Sequence, residues 1–222
     1  MDRAAEAFAE ARTRMVDSQI RPNKVTDPRI ISAMRRLPRE RFLPVKLAPL
    51  AYADEDVPLG EGRVMLAPVV IARLVQLAAV VAGERVLVVA AAAGYGAALL
   101  AACGARVTAL EESASLQASA RAVLAELAPS ISVVTGPLAA GWAANGPYDV
   151  ILIEGAVHEI PPAVGAQLHQ QTGRLVTVCI GDSGLGQAVL AEGTPAGLRM
   201  QPMFDCATPA LPSLLPAPGF VF

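Results

Sequence analysis

The stretch VLVVAAAAGYGAALLA, residues 86–101, decides the fold of this chain. Its first residues form a continuous apolar run rich in valine, which is typical of a buried strand. A turn around Gly94 follows, and the alanine and leucine after it predict a helix from Gly96 to about Cys103. A strand, a turn and a helix in this order are where an α/β protein keeps its glycine-rich nucleotide loop. Alanine stands here where glycine is expected, so the question is whether the loop has kept the chemistry of a cofactor site or only its shape.

The chain after this stretch alternates between apolar strands and helices. The predicted strands are RVTALE, ISVVTG, YDVILIEG and RLVTVCI, and helices are predicted near residues 113–127 and 162–169. Buried strands separated by helices indicate a parallel sheet covered on both faces. QAVLAEG and LRMQPMFDC leave no room for a helix between them, so they predict an antiparallel hairpin at one edge. The predicted class is therefore α/β, with a Rossmann-like parallel sheet.

The residues before this core form a charged segment with helical spacing. Its apolar stripe consists of Ile30, Ile31, Met34 and Leu37. Thr26 or Asp27 can cap this helix, and Pro28 suits its first turn. We expect the N-terminal helices to pack beside the sheet and help cover its ligand crevice. The chain divides into an N-terminal helical extension (1–56), a Rossmann-like core (57–206) and an irregular C-terminal tail (207–222).

Composition excludes several classes of function. A formal net charge of −2 gives no broad basic field, so nucleic acid is not expected as a partner. The three cysteines are far apart and outside any CxxC pattern, which argues against a disulfide framework and against a metal site. The N-terminus lacks the central apolar run of a signal peptide, and LVQLAAVVA is well short of the roughly 20 residues that a membrane span needs. We expect a cytoplasmic protein that does not enter the membrane.

The predicted ligand crevice lies at the carboxyl ends of the strands, where the strand order reverses. This places residues 90–96, Glu111, Gly136 and Pro137, and residues 154–159 around one site. Glu111 follows Gly94 by 17 residues, which is the relation of a ribose-binding carboxylate to a glycine loop. An acid at this point also favours the start of the following helix through its dipole. The spacing alone leaves both interpretations of Glu111 open.

Several longer motifs carry a resemblance to a known family. They are MVDSQIRPNKVTDPRIISAMRRLPRERFLP, AYADEDVPLGEG, AGYGAALLAACGARVTALEE, GPYDVILIEGAVHEIPP and TGRLVTVCIG. Together they resemble protein-L-isoaspartate O-methyltransferase over nearly the whole chain, from about Met15 to Asp205. The N-terminal motif is the most specific, because generic methyltransferases lack it.

The resemblance implies a class I methyltransferase fold with S-adenosylmethionine as cofactor. The implied reaction is methyl transfer to the free carboxylate of an isoaspartyl residue in a damaged protein or peptide. That carboxylate is ionised at neutral pH, since its pKa is about 4, so it attacks the methyl group without a general base. Positioning supplies most of the catalysis. No general base is therefore required, the sequence does not identify the catalytic residues, and we make no prediction of oligomeric state.

The resemblance also implies which residues would bind the cofactor. They are Ala90, Ala92, Gly94, Tyr95, Glu111, Gly136 and Pro137, with Leu66 and Glu154 near the substrate.

This sequence departs from the family at the cofactor positions. Val88 replaces an acidic residue of the first strand, Ala90 and Ala92 replace two of three alternating glycines, and Pro137 replaces the aspartate that would reach the adenine. Near the substrate, Leu66 occupies a position where the family has a serine, and Glu154 occupies one where the family has a small hydroxyl residue. A polar pocket has thus become apolar, and we expect weak cofactor binding.

Two functions from different classes follow from this pattern. The first is an isoaspartyl methyltransferase whose activity is weak or lost, because its loop carries alanine. The second is a non-catalytic member of the family that acts as a binding or regulatory protein. Both share one fold, so the state of the cofactor site distinguishes them.

Overall fold

The computed structural model describes residues 3–181, 184–194 and 197–215. Its α-helices are α1 (Arg3–Met15), α2 (Pro28–Arg36), α3 (Pro68–Ala78), α4 (Tyr95–Ala102), α5 (Ala114–Leu127) and α6 (Pro162–Gly165). Its strands are β1 (Val57–Gly60), β2 (Arg63–Met65), β3 (Arg85–Val89), β4 (Arg106–Glu111), β5 (Ser132–Thr135), β6 (Val150–Val157), β7 (Arg174–Ile180), β8 (Gly186–Thr194) and β9 (Gly197–Asp205).

The central sheet has seven strands in the order β5-β4-β3-β6-β7-β8-β9. Strands β3 to β7 are parallel to their neighbours, while β8 and β9 form the predicted antiparallel hairpin at one edge. The strand order reverses between β3 and β6. In the register, Val89 of β3 lies between Leu110 of β4 and Ile153 of β6. Glu111 and Glu154 each follow the residue that pairs with Val89 by one position, so both lie level with the carboxyl end of β3. Glu111 is the last residue of β4, whereas β6 continues to Val157.

Local sequence signals explain the helix ends. Asp27, rather than Thr26, caps α2, because its carboxylate accepts from the backbone N–H of Arg29 at 2.8 Å. Ser113 caps α5 by accepting from the N–H of Leu116. The helix predicted for residues 162–169 is shorter than expected and ends at Gly165. The N–H of Tyr148 donates to Gln167 O, and the N–H of His169 donates to Tyr148 O. These backbone groups are therefore not available for the hydrogen bonds that would continue the helix.

One face of the sheet and the N-terminal segment share a hydrophobic core. Met15, Ile20 and Met34 belong to the same buried cluster as Val86 and Val88 of β3. Helices α3, α4 and α5 contribute to this cluster as well. The division at residue 56 therefore separates sequence patterns, whereas the packing joins the two sides of that boundary.

The opposite face has shorter elements over it. Leu87, Val89 and Ile153 pack there with residues from 3₁₀ turns, from α6 and from the segment after β9. Leu211 of that segment donates its N–H to Ala156 O at 2.8 Å. The described part of the predicted tail, residues 207–215, thus lies on the sheet, and residues 216–222 lie outside the described residues. No helix in the described parts of the chain has the length and hydrophobicity to cross a membrane.

Candidate functional site

The loop between β3 and α4 keeps a backbone shape that normally requires glycine. Ala90, Ala92 and Gly94 have φ angles of +63°, +49° and +93°. A left-handed conformation costs a residue with a side chain about 1–2 kcal/mol. At Gly94 space is also limiting, since an added Cβ would lie 2.7 Å from Cδ1 of Leu124. The alternating left-handed turns are therefore conserved in shape while two of the three glycines are absent.

The loop has almost no solvent-accessible surface. The four alanines from Ala90 to Ala93 are 0%, 1%, 3% and 5% exposed, and Val88 beneath them is fully buried. The alanine methyl groups thus occupy the space along the loop backbone. A ligand that contacts this backbone requires neighbouring groups to move away.

Glu111 holds the loop from the end of β4. Its side chain is fully buried, and its Oε2 accepts from the N–H of Ala92 at 2.7 Å. Its Oε1 accepts from the backbone N–H groups of Glu112 at 2.9 Å and Ser113 at 3.0 Å. Glu111 therefore links the loop to the residues that begin α5, so a role at the helix start is present in the geometry.

Arg63, on β2, forms an ion pair with Glu111 that sequence reasoning missed. Its Nη1 lies 2.9 Å from Glu111 Oε1, and its Nη2 donates to Ala90 O at 2.7 Å. Both side chains are buried, at 4% and 0% exposure. The signal was present in VPLGEGRVM, since strand alternation places Arg63 on the same face as buried Met65. A charged residue on an inward face requires a buried partner.

Glu154 lies on the other side of β3, and its environment is different. Burial raises the pKa of Glu154 to about 8, although the positive charges of Arg63 and Arg39 favour its ionised form. Within the described structure, its Oε2 has no hydrogen-bond partner. Gly96 makes room for this carboxyl group, because a Cβ on Gly96 would lie 2.4 Å from Oε2. Glu154 is therefore mainly protonated at neutral pH.

Tyr95 and Leu66 face the shared core. The Tyr95 ring packs edge-on against Phe42 with centroids 5.3 Å apart, and the Arg39 guanidinium lies 4.7 Å from its centre. Leu66 is fully buried, and its carbonyl oxygen accepts from Arg39. Burial lowers the pKa of Arg39 and raises that of Tyr95. Neither Tyr95 nor Leu66 presents an exposed side chain to a ligand.

Gly136 and Pro137 form the outer side of the crevice after β5. The N–H of Gly136 donates to Glu111 O at 3.4 Å, and Pro137 is exposed at the start of a 3₁₀ turn. Pro137 has no N–H and no side-chain acceptor, and its carbonyl oxygen already accepts from the N–H of Ala140, so this position supplies no side-chain polar group to a base. The structure thus brings Ala92 and Glu111 into direct contact, links Ala90 to Glu111 through Arg63, and bonds Gly136 to the backbone of Glu111.

Comparisons with known proteins give one answer for the family. The sequence profile described as Protein-L-isoaspartate(D-aspartate) O-methyltransferase (PCMT) matches residues 10–194. A protein-L-isoaspartate O-methyltransferase of Methylorubrum extorquens is 43% identical over 182 residues, which is 82% of this chain and 78% of that protein. One of Koribacter versatilis is 37% identical over 200 residues, which is 90% of this chain and 89% of that protein.

Solved structures agree on the fold. A structure of a protein-L-isoaspartate O-methyltransferase superposes with a TM-score of 0.79 at 22% identity, covering 91% of this chain and 67% of that one. A putative member from Plasmodium falciparum, solved in complex with S-adenosyl-L-homocysteine, gives a TM-score of 0.74 at 16% identity, covering 90% of this chain and 97% of that one. The chain therefore belongs to the protein-L-isoaspartate O-methyltransferase family, whose cofactor is S-adenosylmethionine.

Proposed function

We propose that this chain is a weakly active isoaspartyl methyltransferase, limited by its binding of S-adenosylmethionine. Its substrate would be the free carboxylate of an isoaspartyl residue in a protein or peptide. The observation that carries the proposal is the covered loop, in which buried alanines line the backbone and Arg63 occupies the acceptors of Glu111 and Ala90.

The residues of the crevice do not fit the cofactor in this conformation. The cofactor supplies the transferable methyl group, and it presents ribose hydroxyls, an adenine amine and an amino-acid end to the protein. Glu111 accepts bonds from four protein donors, and Val88 and Pro137 supply no acceptor. Glu154 has an oxygen without a partner among the described residues, but its raised pKa keeps it mainly neutral near pH 7. Cofactor binding would therefore require a rearrangement with a free-energy cost.

The family reaction requires little else from the side chains. An isoaspartyl carboxylate is ionised at pH 7 with a pKa of about 4, so it needs no proton acceptor before it attacks. The lack of an evident general base is therefore compatible with methyl transfer. Turnover at limiting cofactor is expected to follow the occupancy of the cofactor site.

Titration calorimetry and a methyl-transfer assay test the proposal together. We expect the native chain to bind S-adenosylhomocysteine far more weakly than micromolar. Transfer of radiolabelled methyl from S-adenosylmethionine to an isoaspartyl peptide should be weak but measurable above the control, which is the same peptide carrying ordinary aspartate. Micromolar binding together with robust transfer by the native chain would overturn the proposal.

A four-residue revertant, Val88→Glu, Ala90→Gly, Ala92→Gly and Pro137→Asp, provides the matched comparison. It should recover affinity and transfer, provided that its melting transition shows a folded protein. Since Val88 is fully buried, the double variant Ala90→Gly, Ala92→Gly is a second test without a new buried acid. Transfer by the revertant alone, with none by the native chain, would instead favour the non-catalytic binding or regulatory role.

A further inference from the structure

The Oε1 oxygen of Glu111 is saturated with donors from within the protein. A carboxylate offers about four lone-pair positions on its two oxygens. Glu111 accepts from the N–H groups of Ala92, Glu112 and Ser113 and from Arg63 Nη1. Three of these donors are on Oε1 and one is on Oε2. A ribose diol that bonds to both oxygens therefore requires one of the three donors on Oε1 to leave.

Arg63 is the donor that can leave. The other three donors are backbone N–H groups, fixed by the loop and by the start of α5. The Arg63 guanidinium is on a side chain, and it bridges Glu111 Oε1 and the carbonyl oxygen of Ala90. The guanidinium thus lies across the ends of β3 and β4, where it contacts Ala90, the first residue of the loop, and Glu111, the last residue of β4.

The hairpin of β1 and β2 holds Arg63 in this place. Val57 pairs with Met65 in the hairpin, and its turn contains three residues with positive φ, Gly60, Glu61 and Gly62. Glu61 in the turn accepts a hydrogen bond from the Ser115 hydroxyl of α5 at 2.9 Å. The hairpin therefore contacts β4 through Arg63 and α5 through Glu61, and it closes over the loop.

We propose that Arg63 is an internal competitor for the nucleoside and is the residue that sets cofactor affinity in this chain. The inference rests on the proposed function, since the competing ligand is the cofactor of the family. Arg63 acts in two ways. It occupies an acceptor position that a ribose hydroxyl needs, and its positive charge repels the positive sulfonium of S-adenosylmethionine.

The test compares Arg63→Met with the native chain by titration calorimetry of adenosine, S-adenosylhomocysteine and S-adenosylmethionine. Adenosine lacks the amino-acid end, so its binding does not depend on Val88 or Glu154. We expect Arg63→Met to bind adenosine about tenfold more tightly or better, as expected when an acceptor on a charged group is freed. The gain should be larger for S-adenosylmethionine than for S-adenosylhomocysteine, because only the former carries the sulfonium charge.

Arg174→Met is the matched control. Arg174 also pairs with a carboxylate, Glu84, and also donates to backbone carbonyls, those of Ala78 and Ala79. It lies at the amino end of β7, so this variant loses a similar set of contacts away from the loop. We expect no change in affinity for any of the three ligands.

Unchanged adenosine affinity in a folded Arg63→Met variant, including an absence of binding in both proteins, overturns the inference. Should this variant fail to melt cooperatively, Arg63→Gln decides the same comparison, since glutamine is neutral and cannot bridge both acceptors. Failure of the proposed function has a different signature, which is micromolar binding of S-adenosylhomocysteine by the native chain.

Discussion

Two buried carboxyl groups flank the central strand β3, and they differ in nearly every physical property. Glu111 on the β4 side accepts four hydrogen bonds, one of them from a guanidinium. Glu154 on the β6 side has an oxygen without a partner in the described structure, and burial raises its pKa to about 8. Their exposures are nevertheless similar, at 0% and 4%.

The difference shows that donors, rather than burial alone, decide the charge of an acid at a strand end. The chain turns directly after β4, so the N–H groups of Glu112 and Ser113 point back at Glu111. Strand β6 continues for three residues beyond Glu154, to Val157, and its backbone groups remain in the sheet. The turn after β4 therefore supplies hydrogen-bond donors to Glu111, whereas burial without such donors favours the neutral form of Glu154.

Removal of the Glu111 carboxylate should have the largest effect of the changes that test this contrast. In Glu111→Ala, Arg63 remains buried without its counter-charge, which is expected to cost about 3–5 kcal/mol of unfolding free energy. Urea denaturation measures this loss. The double variant Glu111→Ala, Arg63→Met should lose less than Glu111→Ala alone, and an equal or greater loss would show that the unpaired Arg63 charge is not what destabilises Glu111→Ala.

Replacing Glu154 should act in the opposite direction and depend on pH. The folded-state pKa of about 8 lies above the reference value of 4.5, so the folded protein holds a proton that the unfolded chain releases between these pH values. The unfolding free energy of the native chain therefore falls as pH rises through this window. Glu154→Gln mimics the protonated form and lacks this fall. Relative to native, it should be neutral near pH 4 and more stable by on the order of 5 kcal/mol above pH 8.

Paired denaturation curves from pH 4 to pH 9 give this difference directly, because contributions from other groups cancel between the two proteins. The charged groups that act on Glu154 are Arg63, Arg39 and Glu111, and all are kept in the variant. A constant difference across the range would show that Glu154 is ionised in the folded state.

Replacing the alanines of the loop that Glu111 holds should change the stability by a smaller amount. Ala90→Gly and Ala92→Gly should each stabilise the protein by up to about 1 kcal/mol, because relief of the left-handed strain exceeds the entropy cost of glycine. Ala93→Gly is the matched control, since Ala93 is not among the positive-φ residues. It should destabilise the protein by about 0.5–1 kcal/mol. Thermal melting distinguishes the two signs.

The cap of α5 should give the smallest effect. Ser113 Oγ accepts from the N–H of Leu116 at a long 3.3 Å, while the N–H of Ser113 bonds to Glu111. Ser113→Ala should cost about 0.5–1 kcal/mol, the lower part of the range for such caps. Since only the side chain is removed, the N–H bond to Glu111 is retained. A loss above about 2 kcal/mol would mean that the cap also supports the Glu111 side of the crevice.

The sequence predicted the sheet and its edge hairpin because each strand carries its own periodic signal. The turn at Gly94 and a cap at Thr26 or Asp27 were also predictable, since both depend on neighbouring residues, and the structure selects Asp27. The predicted helix at residues 162–169 was too long, because the bridge to Tyr148 is a contact between distant residues.

The site was less predictable for the same reason. Spacing placed Ala90, Ala92 and Glu111 together, but Arg63 reaches Glu111 across 48 positions of sequence. The protonated state of Glu154 depends on which donors surround it in three dimensions, and no local pattern encodes this. The family resemblance identified the loop positions that carry alanine. The Arg63 guanidinium that bonds to Ala90 and Glu111 was not identified, because Arg63 lies outside the motifs that carry the resemblance.

The shared core has a consequence for biosynthesis. Met15, Ile20 and Met34 leave the ribosome first, yet the cluster that buries them includes Val86 of β3, Leu152 of β6 and Val176 of β7. The N-terminal helices themselves pack mainly against α3 and α4, so these side chains lack native partners until residues 68–102 have been translated. Contacts of such high sequence separation slow folding and prolong the exposure of hydrophobic surface. The nascent N-terminal helices are therefore where we expect a chaperone to bind during synthesis.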